Sequence, residues 1–188
     1  MTGDVRSFVE RYPVCQMEKS DHTLSKGKLQ STQIPETKWS DISIDFGADL
    51  PKSSRNRDSI LVVGDKATRK VRMGPYGKGI NAISIARLLW NIMVKLRSAP
   101  RVIYSDKGSQ FTAESWTELW WLTRTKLAYS IAYHPQPHGV VERMNSVIEQ
   151  CMRCIIHESR NINEWENILS TVELVINSLL LCIVPGCR

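Results

Sequence analysis

Residues 39–51 read WSDISIDFGADLP, and the order of side chains within them sets the start of the fold. Ile42, Ile44 and Phe46 alternate with Ser43 and Asp45, which is the two-residue period of a β-strand. The alternation puts Asp45 on the face opposite the isoleucines. The stretch therefore predicts a strand that buries one face and carries a carboxylate on the other.

The segments that follow predict an α/β domain. Further strands are predicted at ILVV, at TRKVRM, at RVIYS, which ends before Asp106, and at LAYSIA. Apolar side chains recur at three- and four-residue steps over 81–96, which predicts an amphipathic helix. More helices are predicted from Thr112, as an N-cap, and after residue 139, where apolar stripes run from Val141 to Ile155 and from Trp165 to Ile176. The order predicts a three-stranded meander followed by alternating helices and strands in a mixed sheet.

Bulk composition narrows the class of protein. The 188 residues carry a net charge of +6, with 42% hydrophobic residues, which is typical of one globular domain. The basic excess lies in the first 100 residues, which fits either a surface for a polyanion or a solvated basic face. Five cysteines without framework spacing and the lack of a signal-like apolar start predict a reducing, intracellular compartment. The longest apolar run, 179–184, is too short for a membrane span, so no membrane partner is expected.

Three carboxylates are candidates for a shared site. Asp45 lies within the first strand and Asp106 follows a later strand, where α/β sheets place their ligand sites. The stretch IAYHPQPHGVVERMN, residues 131–145, leaves the sheet at its prolines and restarts as a helix with Glu142 in the first turn. Converging carboxylates repel unless a cation is present, and hard oxygen ligands favour Mg²⁺ or Mn²⁺. The alternative is that Glu142 only complements the dipole of its helix.

Other polar residues also have two interpretations. Four cations near the third strand either follow a phosphate backbone or protect a solvated edge strand: Lys66, Arg69, Lys70 and Arg72. Arg143 and Asn145 orient DNA or a carboxylate, or face solvent. The C-x-x-C of Cys151 and Cys154 falls on one helix, which favours core packing over zinc or redox chemistry.

Three blocks of the sequence resemble a known family. WSDISIDFGADLP, YSDKGSQFT and IAYHPQPHGVVERMN are similar to the signature blocks of the integrase catalytic core of gypsy-type LTR retrotransposons, which is related to retroviral integrases. The 35 residues between Asp106 and Glu142 match the spacing of that family's two-Asp, one-Glu triad. The resemblance covers about residues 39–178.

The resemblance implies a fold, an activity and a set of residues. It implies an RNase H-like fold, a five-stranded mixed sheet flanked by helices, and Mg²⁺ or Mn²⁺ held by Asp45, Asp106 and Glu142. It implies processing of DNA 3′ ends and their joining to target DNA, by a nuclear protein that forms a homo-oligomer. Residues expected to contact DNA are Lys66, Lys70, Lys107, His134, Gln136, Arg143 and Asn145.

The chain departs from the family pattern both within the third block, where residues 137–141 replace the family's Thr-Asp-Gly-Gln-Thr before Glu142, and outside the three blocks. Cys15 stands alone where the family has a His-His-Cys-Cys module, so no structural zinc is expected. The expected organisation is a degenerate zinc-module remnant and linker over 1–38, the core over 39–178 and a divergent apolar tail over 179–188. These departures suggest a truncated or decayed copy.

Three functions therefore compete. The first is a metal-dependent polynucleotidyl transferase that retains the integrase triad. The second is a catalytically inactive nucleic-acid-binding remnant. The third is an RNase H-like nuclease acting on hybrids, against which the triad spacing and the family blocks argue.

Overall fold

The computed structural model describes residues 7, 11–13, 35–47, 50–96, 99–129, 139–158 and 162–183, with the side chains at 110, 139–144, 157, 158, 162 and 179–183 outside the description. Five strands form one mixed sheet: β1 (Asp41–Gly47), β2 (Ser59–Asp65), β3 (Val71–Tyr76), β4 (Val102–Ser105) and β5 (Lys126–Tyr129). The helices are α1 (Ala82–Leu96), α2 (Ser109–Thr112), α3 (Glu114–Leu122), α4 (Gly139–Glu158) and α5 (Leu169–Ile183), with a 3₁₀ segment at Ile162–Ile168.

The sheet has the order β3-β2-β1-β4-β5. β1, β2 and β3 form the predicted antiparallel meander, and β4 and β5 join it in parallel with β1. The strand order and the helices on both faces confirm the predicted α/β class with a five-stranded mixed sheet.

Two apolar cores lie on the two faces of the sheet. Ile42 and Ile44 of β1 pack with α1, Phe111, Trp116 and Trp120 on one face. On the other face, Ile60 and Val62 of β2 pack with α4, the 3₁₀ segment and α5. The alternation that defined β1 is thus realised, because successive side chains of a strand point to opposite faces. Within the described residues, no helix is both long and apolar enough to cross a bilayer.

Two predicted boundaries are wrong for local reasons. Thr112 is the last residue of α2 rather than an N-cap, because the extended backbone at Ala113 separates α2 from α3. β3 begins at Val71 rather than within 68–70, because Asp65 accepts bonds from the backbone N–H and the hydroxyl of Thr68 and closes a turn there.

The stripe predicted on α4 is shifted by one position. Ile148, Met152 and Ile156 are buried, whereas Cys151 and Ile155 pack at the edge of the same core. On the 3₁₀ segment and α5 the predicted stripe is confirmed, because Trp165, Leu169, Val172 and Ile176 are all buried. The stripe packs these two segments against β2, β3 and α4.

Candidate metal-binding site

Asp45 lies near the carboxyl end of β1, where its carboxylate bonds both its own strand and α4. Its Oδ1 accepts the backbone N–H of Phe46 at 2.8 Å, and its Oδ2 accepts a short hydrogen bond from Nδ2 of Asn145 on α4. Asp45 pairs with Val62 across β1 and β2, and Val62 belongs to the core beneath α4. Asp45 therefore lies on the face that α4 covers, at the start of that helix.

The strand register brings Asp106 to the same place. Ser43 pairs with Tyr104 across β1 and β4. Two residues further along both strands, the same register sets Asp106 opposite Asp45, with a spacing between strands of about 4.8 Å. Asp106 is exposed and its Oδ1 accepts the backbone N–H of Gly108 at 3.1 Å. Both carboxylates thus lie at the carboxyl ends of neighbouring parallel strands.

The backbone of Glu142 lies in the first turn of α4, as predicted. Positions three apart on an α-helix share a face, so Glu142 stands on the face of Asn145, which contacts Asp45. The side chains of Glu142 and Arg143 lie outside the description. The structure thus brings the Glu142 backbone toward the two aspartates, and the placement of its carboxylate stays a prediction.

Aromatic side chains fix the segment that follows Asp106. The rings of Phe46 and Phe111 stack with centroids 4.8 Å apart, and Tyr129 donates a hydrogen bond to the backbone carbonyl of Phe111 at 2.7 Å. Trp116 extends the aromatic row from Phe111, at 5.1 Å between centroids. Because Phe46 follows Asp45 and Phe111 is five residues after Asp106, this stacking ties the two carboxylate-bearing segments together. These positioning residues had not been identified from the sequence; the only signal was their proximity to the aspartates.

Burial changes the titration of Tyr129. Removal from water raises the pKa of its phenol above 10.0, the ordinary value. The hydroxyl therefore stays protonated and continues to donate to Phe111 at neutral pH.

Asn145 carries an acceptor that the described contacts leave unused. The residue is only 8% exposed, and its Oδ1 is buried without a hydrogen-bond partner within the described part of the chain. A buried unpaired acceptor is costly, and a cation or a water bound to one satisfies it. With the carboxylate of Asp45 bonded to the same amide, and Asp106 at the end of the neighbouring strand, the donor set consists of hard oxygens and fits Mg²⁺ or Mn²⁺. Among the described side chains, which do not include that of Glu142, no group of three His, Cys, Asp or Glu residues could hold a metal ion.

A second anchor lies beyond the far end of α4. Glu166 in the 3₁₀ segment is bonded by Ser53, Arg55 and Arg57 of the loop between β1 and β2, and its side chain is 6% exposed. Trp165 Nε1 donates to the carbonyl of Pro51 at 2.7 Å. These contacts fix the chain that follows α4 against the β1–β2 loop and so restrain the helix that carries Glu142.

The other residues predicted to contact DNA are dispersed. Lys107 is exposed next to Asp106, and Asn145 orients Asp45. Lys66 and Lys70 lie at the opposite edge of the sheet, where Lys66 Nζ sits 3.7 Å above the centre of the Tyr104 ring. Burial lowers the pKa of Lys66 below 10.5, and the charge of Asp41 opposes that shift. His134, Gln136 and Cys15 lie outside the described residues.

Comparison with known proteins defines the class. The chain superposes on a chain of the simian T-cell lymphotropic virus intasome in complex with PP2A regulatory subunit B56 gamma, with a TM-score of 0.67 and 17% identity, covering 100% of this chain and 64% of that one. It also superposes on the HTLV-2 integrase catalytic core domain in complex with magnesium, in its dimeric form, with a TM-score of 0.60 and 16% identity, covering 74% and 87% of the two chains. The fold is therefore that of the retroviral integrase catalytic core, which is RNase H-like.

Sequence relatives identify the lineage. The chain is 28% identical over 176 residues to the transposon Tf2-3, Tf2-4 and Tf2-5 polyproteins of Schizosaccharomyces pombe (strain 972 / ATCC 24843), with 94% of this chain covered. It spans 13% of the length of those polyproteins. No family model matches the chain. The chain is thus a homologue of retrotransposon polyproteins with the fold of an integrase core, and the resemblance of the three sequence blocks is confirmed.

Proposed function

We propose that the protein is a retrotransposon integrase-like polynucleotidyl transferase that processes DNA 3′ ends and joins them to target DNA. The observation that carries the proposal is the convergence of Asp45 and Asp106 at neighbouring strand ends, with α4 fixed to Asp45 through Asn145. Residues 39–178 form the proposed catalytic core.

Asp45, Asp106 and Glu142 would hold Mg²⁺ or Mn²⁺. Such ions, as a pair, supply charge stabilisation at the attacking and leaving oxygens of an in-line phosphoryl displacement. Magnesium is supported by the HTLV-2 integrase core, whose structure contains that ion. The donor set of this chain agrees, because carboxylate and amide oxygens suit hard cations.

The protein's own residues supply positioning. Asn145 keeps Oδ2 of Asp45 turned toward α4, while the stacked rings of Phe46 and Phe111 hold the Asp106 segment against β1. In end processing, water attacks a phosphodiester and the DNA 3′-hydroxyl is released. In joining, that hydroxyl attacks target DNA and displaces another 3′-hydroxyl. Fixed geometry is the main contribution a protein makes to such transfers.

The same proposal includes DNA as the substrate, a second copy of the chain as a partner and the nucleus as the location. Exposed apolar side chains along α1, at Ile83, Trp90 and Val94, support a homo-oligomer. The HTLV-2 core was solved in a dimeric form. Nuclear localisation is proposed because chromosomal DNA would be the target.

The test measures metal-dependent cleavage and joining of branched DNA by the purified protein. Asp45→Asn, Asp106→Asn and Glu142→Gln should each abolish product formation, whereas Glu118→Gln, an exposed carboxylate on α3, is the matched control and should retain it. Loss in all three site variants with retention in the control supports the proposal.

Two other outcomes would contradict it. DNA binding without metal-dependent product would identify an inactive nucleic-acid-binding remnant. Preferential cleavage of an RNA–DNA hybrid would identify a nuclease of the RNase H type.

A further inference from the structure

The strands of the sheet have basic residues at the ends that lie away from the candidate site; we call this side of the sheet, formed by strand ends, its edge. β1, β3, β4 and β5 begin at this edge and β2 ends there, because β2 alone runs antiparallel to the others. The residues that begin, end or adjoin the strands at this edge include seven cations. We call them the basic rim: Lys38, Lys66, Arg69, Lys70, Arg101, Arg124 and Lys126.

The buried acidic side chains at this edge are used internally. Asp65 is buried and accepts the backbone N–H groups of Trp39 at 3.0 Å and Ala67 at 3.2 Å. Asp41 is also buried, and both its oxygens accept bonds from Arg101 at 3.1 Å. Glu36 is exposed near the same edge. The seven cations of the rim exceed these three carboxylates by four charges.

Exposure separates the outer cations of the rim from the inner ones. Lys38, Arg69, Arg101, Arg124 and Lys126 are exposed, whereas Lys66 and Lys70 are half-buried. Even Arg101, which is bonded to Asp41, has 72% of its side chain exposed. These five cations therefore present charge to a partner in solution.

Two of the exposed arginines occupy strained turn positions. Arg69 has φ of 63° and Arg124 has φ of 57°, in the left-handed region that glycine adopts without penalty. Each closes a short turn, with its backbone N–H donating to Asp65 and to Trp121 respectively. A charged side chain thus stands at two positions where the backbone alone favours glycine.

We propose that the basic rim binds the phosphate backbone of a duplex DNA segment separate from the segment that reacts at Asp45. Four strand spacings of about 4.8 Å give the rim a width of roughly 19 Å, which spans five to six base pairs of duplex at 3.4 Å each. Four residues along β1 separate the rim from Asp45 by about 13 Å. The choice of DNA as the polyanion rests on the proposed function.

The distribution of charge favours phosphate over an acidic protein. Cations are present at the end of every strand or beside it, whereas exposed apolar side chains, Trp121 and Leu122, lie beside Arg124 at one end only. A protein interface concentrates apolar contacts at its centre, but a phosphate backbone needs only spaced cations. A substitution of Trp121 therefore distinguishes a protein interface, which would need this side chain, from phosphate binding, which would not.

The experiment measures binding of the full chain to a fluorescent 30-bp duplex without element-end sequence, in EDTA, over a range of salt concentrations. Arg69→Gly with Arg124→Gly removes two charges and relieves both strained turns, so the melting temperature should not fall. Each lost phosphate contact lowers the slope of log K against log[salt] by about 0.9, so the double variant should lower it by roughly 1.8. The control is Arg87→Gln with Arg153→Gln, two exposed arginines on α1 and α4.

Every result bears on the proposal. A reduced slope in the rim variant, with the slope unchanged in the control and in Trp121→Ala, supports it. Equal slopes in the rim and control variants overturn it. If the rim variant keeps its DNA slope but loses binding to poly-glutamate, the rim is a protein-binding surface instead. Because the binding assay contains no metal and involves no cleavage, an inactive catalytic site would not change its outcome. Conversely, if the rim does not bind DNA, the strand-transfer test of the proposed function is still valid.

Discussion

Magnesium should stabilise the folded protein, and Asn145→Leu should reveal how. Asn145 donates to Asp45, and hydrogen bonds to charged groups contribute about 1.5–3 kcal/mol. Its Oδ1, buried without a partner among the described residues, costs about 1–3 kcal/mol. Because leucine removes both terms, which nearly cancel, the variant should change the free energy of unfolding by less than about 1.5 kcal/mol in EDTA.

The difference should emerge when the ion is added. At a hundredfold excess over Kd, magnesium raises the free energy of unfolding of a protein with one site by about 2.7 kcal/mol. The ion, or a water bound to it, gives Oδ1 of Asn145 a partner that leucine cannot offer. The variant should therefore bind Mg²⁺ roughly tenfold more weakly, which corresponds to about 1.4 kcal/mol.

The assay is urea unfolding followed by tryptophan fluorescence, in EDTA and over a series of Mg²⁺ concentrations. Trp116, Trp120 and Trp165 are buried, so unfolding should change their emission. Asp106→Asn is the control that removes a ligand while keeping a side-chain acceptor for Gly108. Equal stabilisation of wild type, Asn145→Leu and Asp106→Asn by Mg²⁺ would refute the reasoning, and so would a loss of several kcal/mol by Asn145→Leu in EDTA.

Three further predictions concern the scaffold. Trp165→Phe should lower the free energy of unfolding by about 0.5–1.5 kcal/mol, since the bond to Pro51 is lost, and urea unfolding measures it. Asn177→Leu should cost about 1–3 kcal/mol for each backbone group of Val71 left unpaired, with Asn177→Asp, which keeps an acceptor, losing less in the same measurement. Because burial lowers the pKa of Lys66, this residue binds more protons in the unfolded chain just below pH 10.5, so its own contribution to stability grows with rising pH there, whereas the raised pKa of Tyr129 acts in the opposite direction. Lys66→Met should therefore lose more stability than the wild type as the pH rises through this range in urea unfolding, and equal pH dependence of the two proteins would contradict it.

Local periodicity was enough to predict the sheet. The alternation in β1 gave the correct face for Asp45, and the apolar runs gave the five strands in order. The turn after β2 was harder to predict from the sequence. Thr68 does not extend β3, because its backbone N–H bonds the carboxylate of Asp65. The break at Ala113 has no residue that demands it, so α2 and α3 could not be separated from the sequence.

The candidate site was only partly predictable. Asp45 and Asp106 are aligned by a parallel register that no local pattern encodes, and the sequence indicated it only through the position of Asp106 after a strand and through the three blocks. The sequence left open whether Asn145 faces DNA, a carboxylate or solvent, and its contact with Asp45 depends on how α4 docks across 100 residues of chain. Lys66 and Lys70 were grouped with the site by their charge, but β2 runs antiparallel to β1 and therefore ends beside the start of β1, away from Asp45.

The outer edge of β3 is bonded by side chains of α5, and this limits how the protein can associate. Asn177 bonds both backbone groups of Val71, and Glu173 accepts the N–H of Met73 at 3.0 Å, so side chains of α5 occupy hydrogen-bonding groups on the outer edge of this strand. A strand from another molecule cannot pair there without displacing α5, which protects against edge-to-edge aggregation. Among the described strands, this leaves β5, at the opposite border of the sheet, for intermolecular strand addition. Assembly through helix faces would instead give closed, countable complexes rather than continuous sheets.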